Sequence, residues 1–107
     1  MTEVVVDAGI CGFRCVVEVS ALSRRKVSVA LHTDCEMLNA MNPELNELDL
    51  RPAMKSLADS LVYRIAARHS CHVACPVPSA ILKAIEVELG AALPRDVAIR
   101  FEVPDPP

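Results

Sequence analysis

Tryptophan is absent from this 107-residue chain, and one tyrosine and two phenylalanines are its only aromatic residues. Acidic side chains outnumber Lys and Arg by 14 to 11, leaving a net charge of -3. With neither stacking platforms nor a basic stripe, the chain lacks both components of nucleic-acid binding. No apolar run approaches the roughly 18 to 20 residues needed to cross a bilayer. Glycine occurs three times and forms no phosphate-cradling loop. No Ser-His-Asp order and no paired catalytic carboxylates point to a conventional enzyme. The N-terminus shows no basic segment followed by an apolar stretch and a small-residue cleavage site. Five cysteines, an odd number, argue against a secreted disulfide framework, so reduced thiols in the cytoplasm are the expectation.

A chain of this length forms one domain with a core of its own. Val4, Val5 and Val6 make a short β-branched run that ends at Asp7-Ala8-Gly9. From Phe13, the positions Phe13, Cys15, Val17 and Val19 alternate with Arg14, Val16, Glu18 and Ser20. The polar run Ser23-Arg24-Arg25-Lys26 breaks the pattern, which resumes at Val27, Val29 and Leu31. This alternation predicts an antiparallel hairpin with one buried face. Asp34 can cap a helix over 36–41, stopped by Asn42-Pro43. Leu50, Met54, Leu57 and Leu61 recur at helical spacing and predict a second helix over about 51–68, with Pro52 in its first turn. Pro76 and Pro78 open a third helix whose stripe is Ala80, Ile81, Ala84, Ile85 and Leu89, and Gly90 ends it. Val97, Ile99, Phe101 and Val103 then alternate with Ala98, Arg100 and Glu102 as a final half-buried strand. The predicted fold is a single α+β domain over 1–103, an antiparallel sheet with a β-hairpin packed against two or three helices. Residues 104–107, Pro-Asp-Pro-Pro, form an expected disordered tail.

Three cysteines fall at element boundaries. Cys11 precedes the first strand of the hairpin, Cys35 follows its second, and Cys75 precedes the last helix. Hairpin geometry brings the first two to one end. A thiol at the start of a helix faces free backbone N–H groups and the positive end of the helix dipole, which suits a ligand or a nucleophile. Gly12 beside Cys11 permits close approach of a ligand. Cys71 and His72, four and three residues before Cys75, are both placed to complete a tetrahedral set. Cys15, on the apolar face between Phe13 and Val17, reads as core packing. His32 and His69 read as solvated. Gathered thiolates favour iron–sulfur clusters or zinc over magnesium or calcium.

With Cys11-Gly12 before a hairpin, Asp34-Cys35 after it and His72-Val73-Ala74-Cys75 before a late helix, residues 9–89 resemble the U-type iron–sulfur scaffold family, IscU and the amino-terminal domain of NifU. The resemblance implies a sheet packed on helices, an IscU-like arrangement here extended by a C-terminal strand. It also implies three thiolates at one end that bind an iron–sulfur cluster, or zinc. Phe13 stands where that family carries an acidic residue, and the Leu-Pro-Pro-Val-Lys chaperone-docking segment is missing. Phe13 would shield a site, which suits a stably held cluster. Locally, Cys75-Pro76-Val77-Pro78 is similar to the Cys-Pro-x-Pro signature of TusA-type sulfur carriers, whose cysteine takes a persulfide. As a whole the chain resembles a small uncharacterised domain type marked by Cys-Gly-Phe, Asp-Cys and Cys-Pro-Val-Pro.

The expected function is cluster binding for electron transfer, storage or delivery through Cys11, Cys35 and Cys75, with Cys71 or His72 completing the set. Such a protein has a redox or cluster-transfer partner, and three ligands per chain also allow a cluster shared across a homodimer. The alternatives are a persulfide carrier using Cys75 and a structural zinc module.

Overall fold

Three valine-rich segments pair as an antiparallel meander in the computed structural model, which describes residues 1–104. They are β1 (Thr2–Asp7), β2 (Arg14–Ala21) and β3 (Lys26–Thr33), and a two-residue β4 (Leu48–Asp49) pairs with the start of β3. Val4 lies opposite Val17 and Val17 opposite Leu31; Val6 lies opposite Cys15 and Cys15 opposite Thr33. Because strand side chains alternate, this register turns Val6, Cys15, Val17, Val19, Val27, Val29 and Leu31 to one face, and all are buried. On the other face Glu18 and His32 pair at 3.1 Å.

Four helices follow: α1 (Glu36–Leu45), α2 (Leu50–Ala53), α3 (Leu61–Arg68) and α4 (Val77–Glu88). α1 packs on β3, α4 packs on β1 and β2, and α3 packs on both α1 and α4. Their apolar stripes close the core: Leu38, Met41 and Leu45 from α1, Val62 and Ile65 from α3, Val77, Ile81 and Ile85 from α4. Each such side chain, once fully buried, contributes roughly 1.5–3 kcal/mol. An α+β sheet with a β-hairpin and helices on one face is thus the fold that the alternation indicated.

α4 has the boundaries its prolines and glycine dictate. Pro76 takes the N-cap position and Pro78 lies in the first turn. At the far end Gly90 adopts φ +77°, its N–H donates to the Val87 carbonyl at 3.1 Å, and the Ala91 N–H donates to the Glu86 carbonyl at 2.8 Å. That pair of bonds is the Schellman motif, and it requires the left-handed residue glycine supplies. Glu88 then ties this end of α4 to the sheet, accepting from the Thr2 hydroxyl at 2.7 Å and the Ala21 N–H at 2.9 Å.

Four expectations need correction. α1 runs through Pro43 to Leu45, because the buried Leu45 extends the stripe of Leu38 and Met41 and holds the last turn in place. Its N-cap position is held by Cys35, not Asp34, with no side-chain cap bond. The helix expected over 51–68 is two: α2 ends at Ala53 and α3 starts at Leu61. Between them Ser60 is buried with its hydroxyl donating to the Ala53 carbonyl at 2.6 Å, and the Asp59 N–H donates to the Ser56 carbonyl at 2.9 Å. These local bonds compete with helix, and Leu57, counted in the stripe, is exposed. Finally, residues 93–104 carry no regular secondary structure, so the C-terminal strand is not formed. Of the tail expected to be disordered, residues 105–107 lie outside the described part of the chain.

Beyond β4, the outer edge of β3 is closed by side chains. The Asn42 carboxamide accepts from the Leu31 N–H at 2.8 Å and donates to the Leu31 carbonyl at 3.0 Å, acting as one residue of a neighbouring strand. Asn39 donates to the Thr33 carbonyl at 2.6 Å. Asn42→Ala strips both Leu31 groups of their partners and is expected to cost about 1–3 kcal/mol in urea denaturation. A loss under about 0.5 kcal/mol would show that water replaces the amide without penalty.

Candidate functional site

The meander and the helix order bring four separate stretches of chain to one end of the sheet. The first is the β1–β2 connection, where the Gly12 N–H donates to the Gly9 carbonyl at 2.9 Å and closes a turn with Ile10 and Cys11 at its tip. Gly9 and Gly12 stand at φ +86° and +77°, a conformation that admits glycine far more readily than other residues. Cys11 is exposed there. The second is the start of β2, where Cys15 faces the core. The third is the junction of β3 and α1, where Cys35 is buried and its N–H donates to the Thr33 hydroxyl at 3.2 Å.

The fourth stretch joins α3 to α4. α3 ends in a Schellman motif of its own: the Ser70 N–H donates to the Ala67 carbonyl at 3.2 Å and the Cys71 N–H to the Ala66 carbonyl at 3.0 Å. Ser70 takes the left-handed position, at φ 57°. This sharp reversal folds Cys71 back toward the core. A tight turn, with the Cys75 N–H donating to the His72 carbonyl at 3.0 Å, then delivers Cys75 one residue before the N-cap of α4.

All five cysteines of the chain line one cavity of about 130 Å³. His72 lines it too, from an exposed position, and Ile10, Phe13, Leu38 and Val77 supply apolar wall. Cys35 and Cys15 form the buried part of the wall, Cys71 and Cys75 are half-buried, and Cys11 is exposed. The thiols sense one another electrically. Burial first, then the negative charge that Cys75 and Cys35 would carry as thiolates, push the Cys15 thiol up to about 11. The Cys71 thiol is pushed up by burial, by the charge of Cys75, by its hydrogen bond to Cys75 and by the charge of Cys35. At neutral pH Cys15 and Cys71 are therefore protonated, and a cation entering the cavity must displace their protons to bind their sulfurs. Among the described residues, no three His, Cys, Asp or Glu side chains are gathered closely enough to form a ready-made metal-holding group.

Each cysteine and histidine proposed from sequence as a ligand, Cys11, Cys35, Cys71, Cys75 and His72, lies on this cavity. Cys15 is core, as its strand position indicated, and it is also the innermost sulfur of the cavity wall. The signal for it was the hairpin register: Cys15 opposite Thr33 puts it at the same sheet end as Cys35. The other two histidines are engaged elsewhere, His32 with Glu18 and His69 with Glu44. His69 is half-buried, and with Arg68 it holds the Glu44 carboxyl below its usual range, clasping α3 to α1.

A protein-family model matches residues 2–101. The chain belongs to the family of unknown function DUF6951. The span that defines this membership takes in all five cysteines and most of the segment after α4. No curated protein and no solved structure matches the chain. No helix among the described residues is long and apolar enough to cross a membrane.

Proposed function

We propose that this member of DUF6951 holds an iron–sulfur cluster in its five-cysteine cavity and serves in electron transfer, cluster storage or cluster delivery to a partner protein. The observation that carries the proposal is the gathering of every cysteine in the chain round one apolar-walled cavity. Soft sulfur donors select iron–sulfur clusters, zinc and copper(I) over hard cations. A single zinc ion asks four ligands to meet about 2.3 Å from one point. Here the thiols are distributed round a cavity, which suits a body of several atoms with a ligand at each corner. Apolar walls such as Phe13 and Leu38 limit the access of water to the inner sulfurs and would thereby influence the potential and stability of the cluster.

Cys11, Cys35, Cys71 and Cys75 are the ligands in this proposal. Cys71 is preferred to His72 because it is half-buried and hydrogen-bonded to Cys75, whereas His72 is exposed at the rim. Cys15 packs behind them as a protonated thiol. Cys11, exposed on its turn, closes the cavity from the solvent side.

The test is anaerobic purification followed by a visible spectrum and by assays for iron, zinc and acid-labile sulfide. A brown protein with iron and sulfide in comparable amounts is expected. A colourless protein with one zinc per chain would replace the proposal with a structural zinc module. A metal-free protein whose Cys75 accepts and hands on sulfur would replace it with a persulfide carrier.

A further inference from the structure

The segment after α4 has the sequence of a strand and pairs with nothing among the described residues. Val97, Ile99, Phe101 and Val103 are 61, 81, 90 and 78% exposed, so the apolar side of the segment is left largely uncovered among the described residues. Pro94 and Pro104 bracket it as prolines bracket strands. The family match runs through residue 101, so most of the segment belongs to the domain type.

The sheet has a matching deficiency. Its strand order is β1-β2-β3-β4, and among the described residues nothing pairs with the outer edge of β1. The opposite edge is closed by β4 and by the Asn42 and Asn39 side chains. An open edge of this kind is a template for a further strand. β1 carries no lysine or proline that would blunt it. Its six residues span roughly 20 Å and the seven residues 97–103 roughly 23 Å when extended, so the two lengths agree. On β1 the half-buried Val4 and the buried Val6 face α4 beside a place where apolar residues of an added strand would continue the core. On the outer face Glu3 and Asp7 offer carboxylates to Arg100.

We propose that β1 receives residues 97–103 of a second copy of this chain, and that two copies exchange these arms reciprocally to form a twofold dimer. Each copy carries one arm and one open edge, so a single symmetric exchange satisfies both and leaves no edge over. Two arms and two receiving edges, at a few hundred Å² each, reach the roughly 1,200–2,000 Å² of a specific interface. An arm paired along β1 runs between Thr2, to which Glu88 holds the end of α4, and Asp7, which precedes the turn that carries Cys11. The exchange uses none of the cysteines, so it is tested on the metal-free protein.

The experiment compares the full-length metal-free protein with its I99D/F101D variant by light scattering coupled to size exclusion, and by hydrogen exchange of peptides covering 2–7 and 97–103. The natural chain is expected to run at twice the mass of one chain with both peptides protected. The variant should halve in mass and lose protection in both peptides, while its cooperative thermal unfolding persists because Ile99 and Phe101 are largely exposed in their own fold. A natural chain that is monomeric overturns the proposal, and if both peptides are nonetheless protected the arm has folded onto its own β1. A variant that remains dimeric overturns it as well, since the arm would then play no part in association.

Discussion

Cys35→Ala and Cys75→Ala are each expected to lose at least nine-tenths of the iron and sulfide carried by the natural protein, a tenfold effect or more, whereas Cys15→Ala keeps most of both. The difference follows from position. Cys35 and Cys75 reach the cavity from the start of α1 and from the turn before α4, and both charges act on the remaining thiols. Cys15 is backed by the sheet with its sulfur held to the His32 backbone, so it forms the floor of the cavity. Cys71→Ala should behave like Cys35→Ala, and His72→Ala like the natural chain. Stability follows the metal, because binding free energy to the folded state adds to folding free energy. Purified anaerobically, the ligand variants should melt well below the cluster-loaded natural protein, and against the metal-free natural protein the gap should shrink. A persulfide carrier predicts another pattern: sulfur transfer lost with Cys75 alone and untouched by Cys35→Ala. Iron retained in both Cys35→Ala and Cys75→Ala would sink the cluster proposal.

Much of this arrangement is legible in the order of residues. Period-two alternation at Cys15, Val17 and Val19, then at Val27, Val29 and Leu31, identifies the hairpin and its buried face. Prolines and Gly90 delimit α4 because their constraints are local and hold in any context. The convergence of Cys11 and Cys35 follows from the same rules, since an antiparallel hairpin returns its ends to one place, whereas the arrival of Cys75 beside them depends on how α4 packs on β1 and β2. What sequence periodicity misjudged depends on competition between local and distant contacts. Leu57 keeps helical spacing with Met54 and Leu61, yet the Ser60 bond to Ala53 and the Ser56–Asp59 turn take the chain elsewhere. Pro43 should stop a helix, but burial of Leu45 carries α1 past it. The alternation of 97–103 records that one side of the segment is made for burial and says nothing about which chain provides the surface. Cys15 shows a further limit: a free cysteine on a core face has the same sequence pattern whether its neighbours are aliphatic or other thiols.

The metal-free protein is expected to lose stability as the solution becomes alkaline. Cys15 has its pKa raised from the ordinary 9.0 to about 11, so the folded chain holds this proton more tightly than the unfolded one. Its contribution is fully present below pH 9 and is lost as the pH rises towards 11, because over that interval unfolding releases the proton. The gap between the two values corresponds to about 3 kcal/mol, a large part of the stability of a domain this size. Cys71 is raised as well and acts with the same sign. A thermal melt followed from neutral pH to pH 11 should therefore fall steeply above pH 9, and Cys15→Ala should flatten part of the fall. The cluster-loaded protein should keep the Cys15 part of this alkaline loss and gain a loss on the acid side. Its ligands are already thiolates neutralised by iron, which removes the Cys71 contribution on the alkaline side. Acid then competes for the sulfurs and releases the cluster. A metal-free melting temperature that stays level from pH 8 to pH 11 would show that the buried thiols do not govern stability in this way, and with them would go the electrostatic picture of the cavity.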